Sequence, residues 1–313
     1  NERMKAAVID YIQQDGVLHS LDMHTTAKRR YMEVFESVIL EPRAMEHRMQ
    51  FMGPTGTNAV EAALKLARRV TGRRQVVAFS KGFHGMTLGA LACTANSYFR
   101  GAAGVALDNV THQPFAEITH LDKLREQYAD ASSGVEPPAA FIVETIQAEG
   151  GVNVASKEWL QALQALAHDH GALLIVDEIQ VGCGRTGSFF SFDDVGIDPD
   201  IICLAKGIGG MGTPMAMNLV KPEHDKHWSP GEHTGTFRGQ NLSFVAGVEA
   251  LNYFRDSELM DQVANYTEVM NTALAPLARK YSQVAIRGKG MIIGLDVADT
   301  EPAKAIVAEC FDN

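Results

Sequence analysis

Cysteine is scarce: Cys93, Cys183, Cys203 and Cys310 are the only four in 313 residues, far apart and with no C-x-x-C pair. That spacing leaves no disulfide framework, argues against a zinc site and fits a reducing, cytoplasmic compartment. No apolar stretch reaches the roughly 20 residues a membrane-spanning helix needs, and no signal-peptide pattern opens the chain. Long runs of Lys or Arg are absent too. With 38 acidic side chains against 28 basic ones and a net charge of −10, no basic footprint exists for nucleic acid or an anionic membrane. Neither an internal repeat nor a low-complexity segment interrupts the chain. It does not open on Met, and a helical pattern continues past Ala305, so a piece of a longer protein is expected.

What is present is ordinary globular composition, 46% hydrophobic and 21% charged, in a chain long enough for one large core and part of another. Short apolar runs at 76–79, 140–144, 173–177, 201–205 and 215–220 alternate with helical patterns. This is the signature of an α/β domain with a mainly parallel central sheet flanked by helices. The segment 58–70 places Val60, Ala63, Leu64, Ala67 and Val70 on one helical face, and 159–168 does the same behind a cap at Ser156. Strands at 284–286 and 291–297 are expected around a turn at Arg287-Gly288-Lys289-Gly290. The expected division is an N-terminal segment, 1–24, belonging to a small domain, a large domain, 25–272, and the start of a smaller α+β domain at 273–313.

Open α/β sheets bind ligands beyond the carboxyl ends of their strands. Leu173-Leu174-Ile175-Val176 ends in Asp177-Glu178, and Ile201-Ile202-Cys203-Leu204-Ala205 ends in Lys206 and a glycine-rich loop. A carboxylate and an ammonium therefore emerge at one edge. Two readings stand: a structural salt bridge, or a buried amine whose pKa is lowered for Schiff-base chemistry. Gly53-Pro54-Thr55-Gly56-Thr57-Asn58 runs into a helix start, where free N–H groups and the helix dipole suit an anion. Thr57 or Asn58 as an N-cap, with Glu61 completing a capping box behind Asn58, is compatible with that. No Walker pattern follows. Gly82-Phe83-His84-Gly85 sets an aromatic ring between glycines, where it suits stacking on a heteroaromatic cofactor better than core packing.

These motifs, with Val143-Glu144-x-Ile146-Gln147, Asp177-Glu178-Ile179-Gln180-x-Gly182-x-Gly184-Arg185-Thr186-Gly187, Pro199-Asp200-Ile201 and Gly235-Thr236-Phe237, resemble the class III aminotransferases over nearly the whole chain. The resemblance implies a pyridoxal 5′-phosphate enzyme of transferase fold type I. In it Lys206 carries the cofactor and shuttles a proton, and Asp177 pairs with the pyridine nitrogen. Phe83 stacks on the ring beside His84, Gln180 lies near the ring hydroxyl and Glu144 near the substrate side. Gly56, Thr57 and Asn58 hold the phosphate. Thr236 reaches the phosphate of a neighbouring subunit, which implies a homodimer or a higher assembly. Glu149 matches a glutamate that pairs with a substrate-binding arginine in ornithine-type members. The arginine that commonly binds the α-carboxylate would lie beyond residue 313.

Within the family, Leu21–Thr25, the run GPTGTNAVEAALKLAR at 53–68, Pro214-Met215-Ala216-Met217 and GEHTGTFRGQN at 231–241 resemble the diaminobutyrate–2-oxoglutarate transaminases of ectoine biosynthesis. The implied reaction exchanges L-2,4-diaminobutanoate and 2-oxoglutarate with L-aspartate 4-semialdehyde and L-glutamate. Ornithine, 4-aminobutyrate and siderophore-pathway diaminobutyrate transamination are the alternatives. Arg238 stands where most class III members have a small residue, so it is a candidate for a substrate carboxylate or for a structural contact. Thr145, Val181 and Cys183 depart from the family pattern, as does Gly207-Ile208-Gly209-Gly210-Met211-Gly212 after the lysine. That last run satisfies G-x-G-x-x-G, but Pro214 and a strand follow it in place of the helix a dinucleotide site requires. A non-catalytic member of the fold is the other alternative, and retention of both Asp177 and Lys206 opposes it.

Overall fold

The computed structural model describes residues 1–19, 21–256 and 258–312. A seven-stranded sheet organises the chain. It is built from β1 (Arg48–Phe51), β2 (Val76–Phe79), β3 (Val110–Gln113), β4 (Ala140–Val143), β7 (Leu173–Asp177), β8 (Ile201–Leu204) and β9 (Met217–Val220), in the order β1-β9-β8-β7-β4-β2-β3. Residues between β4 and β7 form a small ribbon, β5 (Ile146–Gln147) with β6 (Asn153–Val154). The five strands from β8 to β3 run parallel, whereas β9 and β1 pair antiparallel at one edge.

Every residue of β2, β4, β7 and β8 is buried. Strands covered on both faces read as unbroken apolar runs, which is why these segments stand out in the sequence. Alternate side chains serve the two faces. Leu174, Val176, Ile202 and Leu204 join one core cluster, while Leu173, Ile175, Ile201 and Cys203 join the other. The second face is covered by α3 (Gly56–Thr71) through Ala59, Val60, Ala63, Leu64 and Ala67. The helix Lys157–Asp169 covers the first face with Trp159, Leu160, Leu163 and Leu166, and Ser156 caps it by accepting the Trp159 amide at 3.1 Å. No helix among the described residues is long and apolar enough to cross a membrane.

Two expectations need correction. β9 begins at Met217 instead of residue 215: its pairing with β1 ends at Phe51 opposite Met217, and past it only the Met52 amide still donates to the Ala216 carbonyl, at 3.0 Å. The turn expected at 287–290 lies further on: β10 (Ala285–Lys289) runs through Arg287 and Gly288 and pairs with β11 (Ile292–Asp296). Arg287 bonds to Asp296 across that hairpin at 2.7 Å, and Gly290 takes the left-handed turn at φ +61°. The hairpin grips the sheet domain. Arg287 donates to the Gly151 carbonyl at 2.7 Å, Lys289 pairs with Asp194 at 2.7 Å, and Met291 N–H donates to the Arg185 carbonyl at 2.8 Å.

At the amino edge of the sheet, Asp200 stitches three strands together. Its carboxylate accepts the Leu174 amide at 2.8 Å, His168 Nε2 at 2.9 Å and His224 Nε2 at 3.0 Å, with Lys221 Nζ at 3.4 Å. Burial opposes its charge, but the two histidine bonds, the amide and the lysine overcome that and hold its carboxyl far below the usual range. Removing one partner of a buried ionic cluster strands the others. Asp200→Asn is therefore expected to cost about 3 kcal/mol, read as a clear fall in thermal midpoint by calorimetry; an unchanged midpoint would refute this role.

Candidate active site

The parallel register determines which side chains share the carboxyl edge. Val143 pairs with Val176 and Asp177 with Cys203, so Glu144, Asp177 and Lys206 follow on three adjacent strands. They line one cavity of about 620 Å³ together with Gly56, Thr57, Phe83, His84, Gln180 and Arg185. A second cavity, of about 870 Å³, shares Gln180, Arg185 and Lys206 with it and is closed by residues that include Tyr253, Phe254, Met291 and Ile292.

The acid and the amine are not paired with each other. Asp177 is 4% exposed; its Oδ2 bonds to His84 Nδ1 at 2.9 Å and its Oδ1 accepts the Ile179 amide at 3.1 Å. Burial alone would pull the His84 pKa down, yet the Asp177 bond and charge, with Glu144 nearby, leave it raised. Lys206 forms no hydrogen bond or ion pair among the described residues, which removes the structural salt bridge as an explanation. Nor is the lysine buried, as expected from sequence: its side chain is exposed at the cavity wall. Its backbone sits at φ +50°, a left-handed conformation that costs a non-glycine residue about 1 kcal/mol or more.

Glu144 is 5% exposed and its Oε1 accepts the Phe83 amide at 2.8 Å. Burial pushes its carboxyl up to about 7, with Asp177 adding to the shift and His84 opposing it. Phe83 is half-buried at the cavity and meets Phe99 edge-on at 5.6 Å. Gln180 donates to Glu149 Oε1 at 3.2 Å, which ties the exposed Glu149 to the rim.

The start of α3 differs from its expected capping. Thr55 is the N-cap position and no side chain caps the helix. Glu61 turns instead to α4 (Leu88–Cys93), accepting from Thr87 Oγ1 at 2.7 Å and from the Ala90 amide at 3.0 Å. Thr57 Oγ1 lies 2.7 Å from Thr87 Oγ1, facing Gly85. A Cβ on Gly85, which sits at φ +130°, would fall 2.4 Å from Thr57 Oγ1, so only glycine fits there. An uncapped helix start, a threonine hydroxyl and a close-approaching glycine form a cradle for an anion. With Phe83 for a flat ring, a buried acid for a ring nitrogen and an unpaired amine for an aldehyde, the donor set fits pyridoxal phosphate.

Other sequence candidates fall elsewhere. Asn58 does not line the cavity; its amide lies against Gly53, where a Cβ would come within 2.4 Å of it. Thr236 is exposed on a loop outside the cavity. Arg238 bonds to Asp22 at 2.7 Å through Nε and to the His233 carbonyl at 3.3 Å, and it lines a different cavity. Among the lining residues that the sequence did not single out are Arg185, quoted there only within a glycine-rich motif, and Met86, which directly follows Gly85.

The family model for class III aminotransferases matches residues 4–313. A diaminobutyrate–2-oxoglutarate transaminase of Wolinella succinogenes is 50% identical over 97% of this chain and 73% of its own length. One from Sporosarcina pasteurii is 46% identical over 100% of this chain and 75% of its own length. Among solved structures, an amine transaminase from an uncultivated Pseudomonas species, in a PLP-bound form, superposes with a TM-score of 0.84. That structure is 25% identical, over 97% of this chain and 74% of its own. Sheet topology, site and relatives agree: this chain belongs to the class III aminotransferases.

Proposed function

We propose that the chain holds pyridoxal 5′-phosphate in the cavity under Phe83 and exchanges an amino group between glutamate and the terminal carbon of aspartate 4-semialdehyde, giving 2-oxoglutarate and L-2,4-diaminobutanoate. One observation carries the reading: Asp177 is engaged by His84, which leaves Lys206 unpaired at the same edge of the sheet. When bound, the cofactor supplies an electrophilic aldehyde and a ring that accepts electron density as a bond to the reacting carbon breaks.

The protein's share is positioning and proton handling. The amides and hydroxyl at Gly56 and Thr57 hold the phosphate on the positive end of α3. Asp177 is fixed on one side by His84 Nδ1 and on the other by the Ile179 amide. Its carboxylate is thus kept in place to accept from the ring N–H, where it favours charge that develops only along the reaction. Lys206 Nζ, with no competing partner, would hold the cofactor and would move the proton at the reacting carbon. Glu144 and Gln180, which both line the cavity, would flank the ring, Gln180 being steadied by Glu149. Thr236 and the 66%-exposed Phe237 beside it support a homodimer in which this loop completes the partner's phosphate site. The identity of 45–50% to several diaminobutyrate transaminases supports the substrate choice.

Glutamate is expected to discharge the visible absorption band of the purified protein, and aspartate 4-semialdehyde to restore it. Lys206→Ala should lower turnover by at least about 1000-fold. A band that glutamate leaves untouched, or full turnover in the variant, would overturn the reading.

Burial raises Glu144 from 4.5 to about 7, so the native state binds more protons than the unfolded state between those values. The stability this contributes is complete below pH 4.5 and is lost as the pH rises through about 7. Glu144→Gln keeps an oxygen for the Phe83 amide but cannot ionise. Its apoprotein is expected to match the parent's thermal midpoint near pH 5 and to exceed it near pH 8; parallel pH curves would count against the assignment.

A further inference from the structure

Resting on that reading, we propose that Arg185 binds the substrate carboxylate that lies three bonds from the reacting carbon, and that one guanidinium serves both substrates in this way. In glutamate the reacting carbon is C2 and the remote carboxylate is C5. In diaminobutanoate the reacting carbon is C4 and the carboxylate is C1. The separation is the same in each case, although one substrate carries net negative charge and the other net positive charge.

The positively charged side chains at the site are few. Among the described residues, Arg185 and Lys206 are the only lysine or arginine side chains lining either of the two joined cavities, and Lys206 is committed to the cofactor. Among the described residues the Arg185 side chain has no hydrogen bond or ion pair. Several arginines elsewhere are occupied: Arg43 with Asp193, Arg125 with Asp169, Arg287 with Asp296 and Arg238 with Asp22. Arg238, the candidate suggested by the sequence, is thereby held away from this cavity.

Arg185 is also anchored as a binding residue should be. Its carbonyl accepts the Met291 amide at 2.8 Å, and Gly184 and Gly187 flank it at φ +88° and +95°. A Cβ on Gly290 would fall 2.5 Å from that same carbonyl, so the hairpin packs directly on its backbone. The main chain is therefore fixed while the guanidinium stays free at the wall shared with Lys206 and Gln180. A planar fork of donors with no internal acceptor suits a carboxylate held by two parallel bonds. Met86, half exposed at the cavity, adds no charge to compete.

Half-reactions of holo Arg185→Gln and Arg185→Lys, followed by the cofactor's visible band, test this. In Arg185→Gln the KM for glutamate, diaminobutanoate and 4-aminobutanoate should each rise about 10- to 100-fold. Alanine, which has no remote carboxylate, should be unaffected, and Arg185→Lys should recover part of the loss. Glutarate, a dicarboxylate without an amine, should protect the parent but not Arg185→Gln against thermal unfolding. An equal rise for alanine, or no rise for glutamate, would overturn the assignment. Because Arg185→Gln should keep its visible band, a protein lacking that band even in the parent would instead mark failure of the cofactor reading.

Discussion

The parallel pairing of β7 with β4 on one side and β8 on the other is the constraint on which everything else rests. It brings the ends of three strands to one line, so Glu144, Asp177 and Lys206 become neighbours although they are distant in the chain. A slip of one residue in any of these pairings would send each side chain to the opposite face. Burial of all three strands on both faces prevents such a slip, since alternate residues are committed to separate cores. Asp200 reinforces the register from the opposite edge by binding the amide of Leu174.

Charge at the site is distributed so that the amine remains available. Had Asp177 and Lys206 paired, the carboxylate would have held the lysine as a bonded ammonium. His84, 3% exposed and raised in pKa by its acidic neighbours, satisfies Asp177 instead. Glu144, held near neutrality by burial, keeps a second full anion from crowding the same small volume.

The fold and the core of the site were legible because both depend on local pattern. Uninterrupted apolar runs mark strands buried on two faces, and a charged residue ending such a run has only the sheet edge to occupy. What the sequence hides is the choice of partner over long distances. Nothing near Arg238 announces Asp22, 216 positions away, and nothing near Glu61 shows that it reaches Thr87 instead of closing its own helix. Exposure is similarly hidden. Lys206 reads as buried because a buried strand precedes it, yet the left-handed turn at the lysine carries the side chain out to the cavity wall.

That turn sets folding against chemistry at a single position. At φ +50° the backbone of residue 206 favours glycine, and any side chain there is carried at a loss. Nine other non-glycine residues among those described share the left-handed region, so the strain is ordinary in kind; what sets residue 206 apart is that its side chain opens onto the cavity. At residue 206 a local cost in backbone conformation is thus coupled to the placement of an amine at the cavity wall.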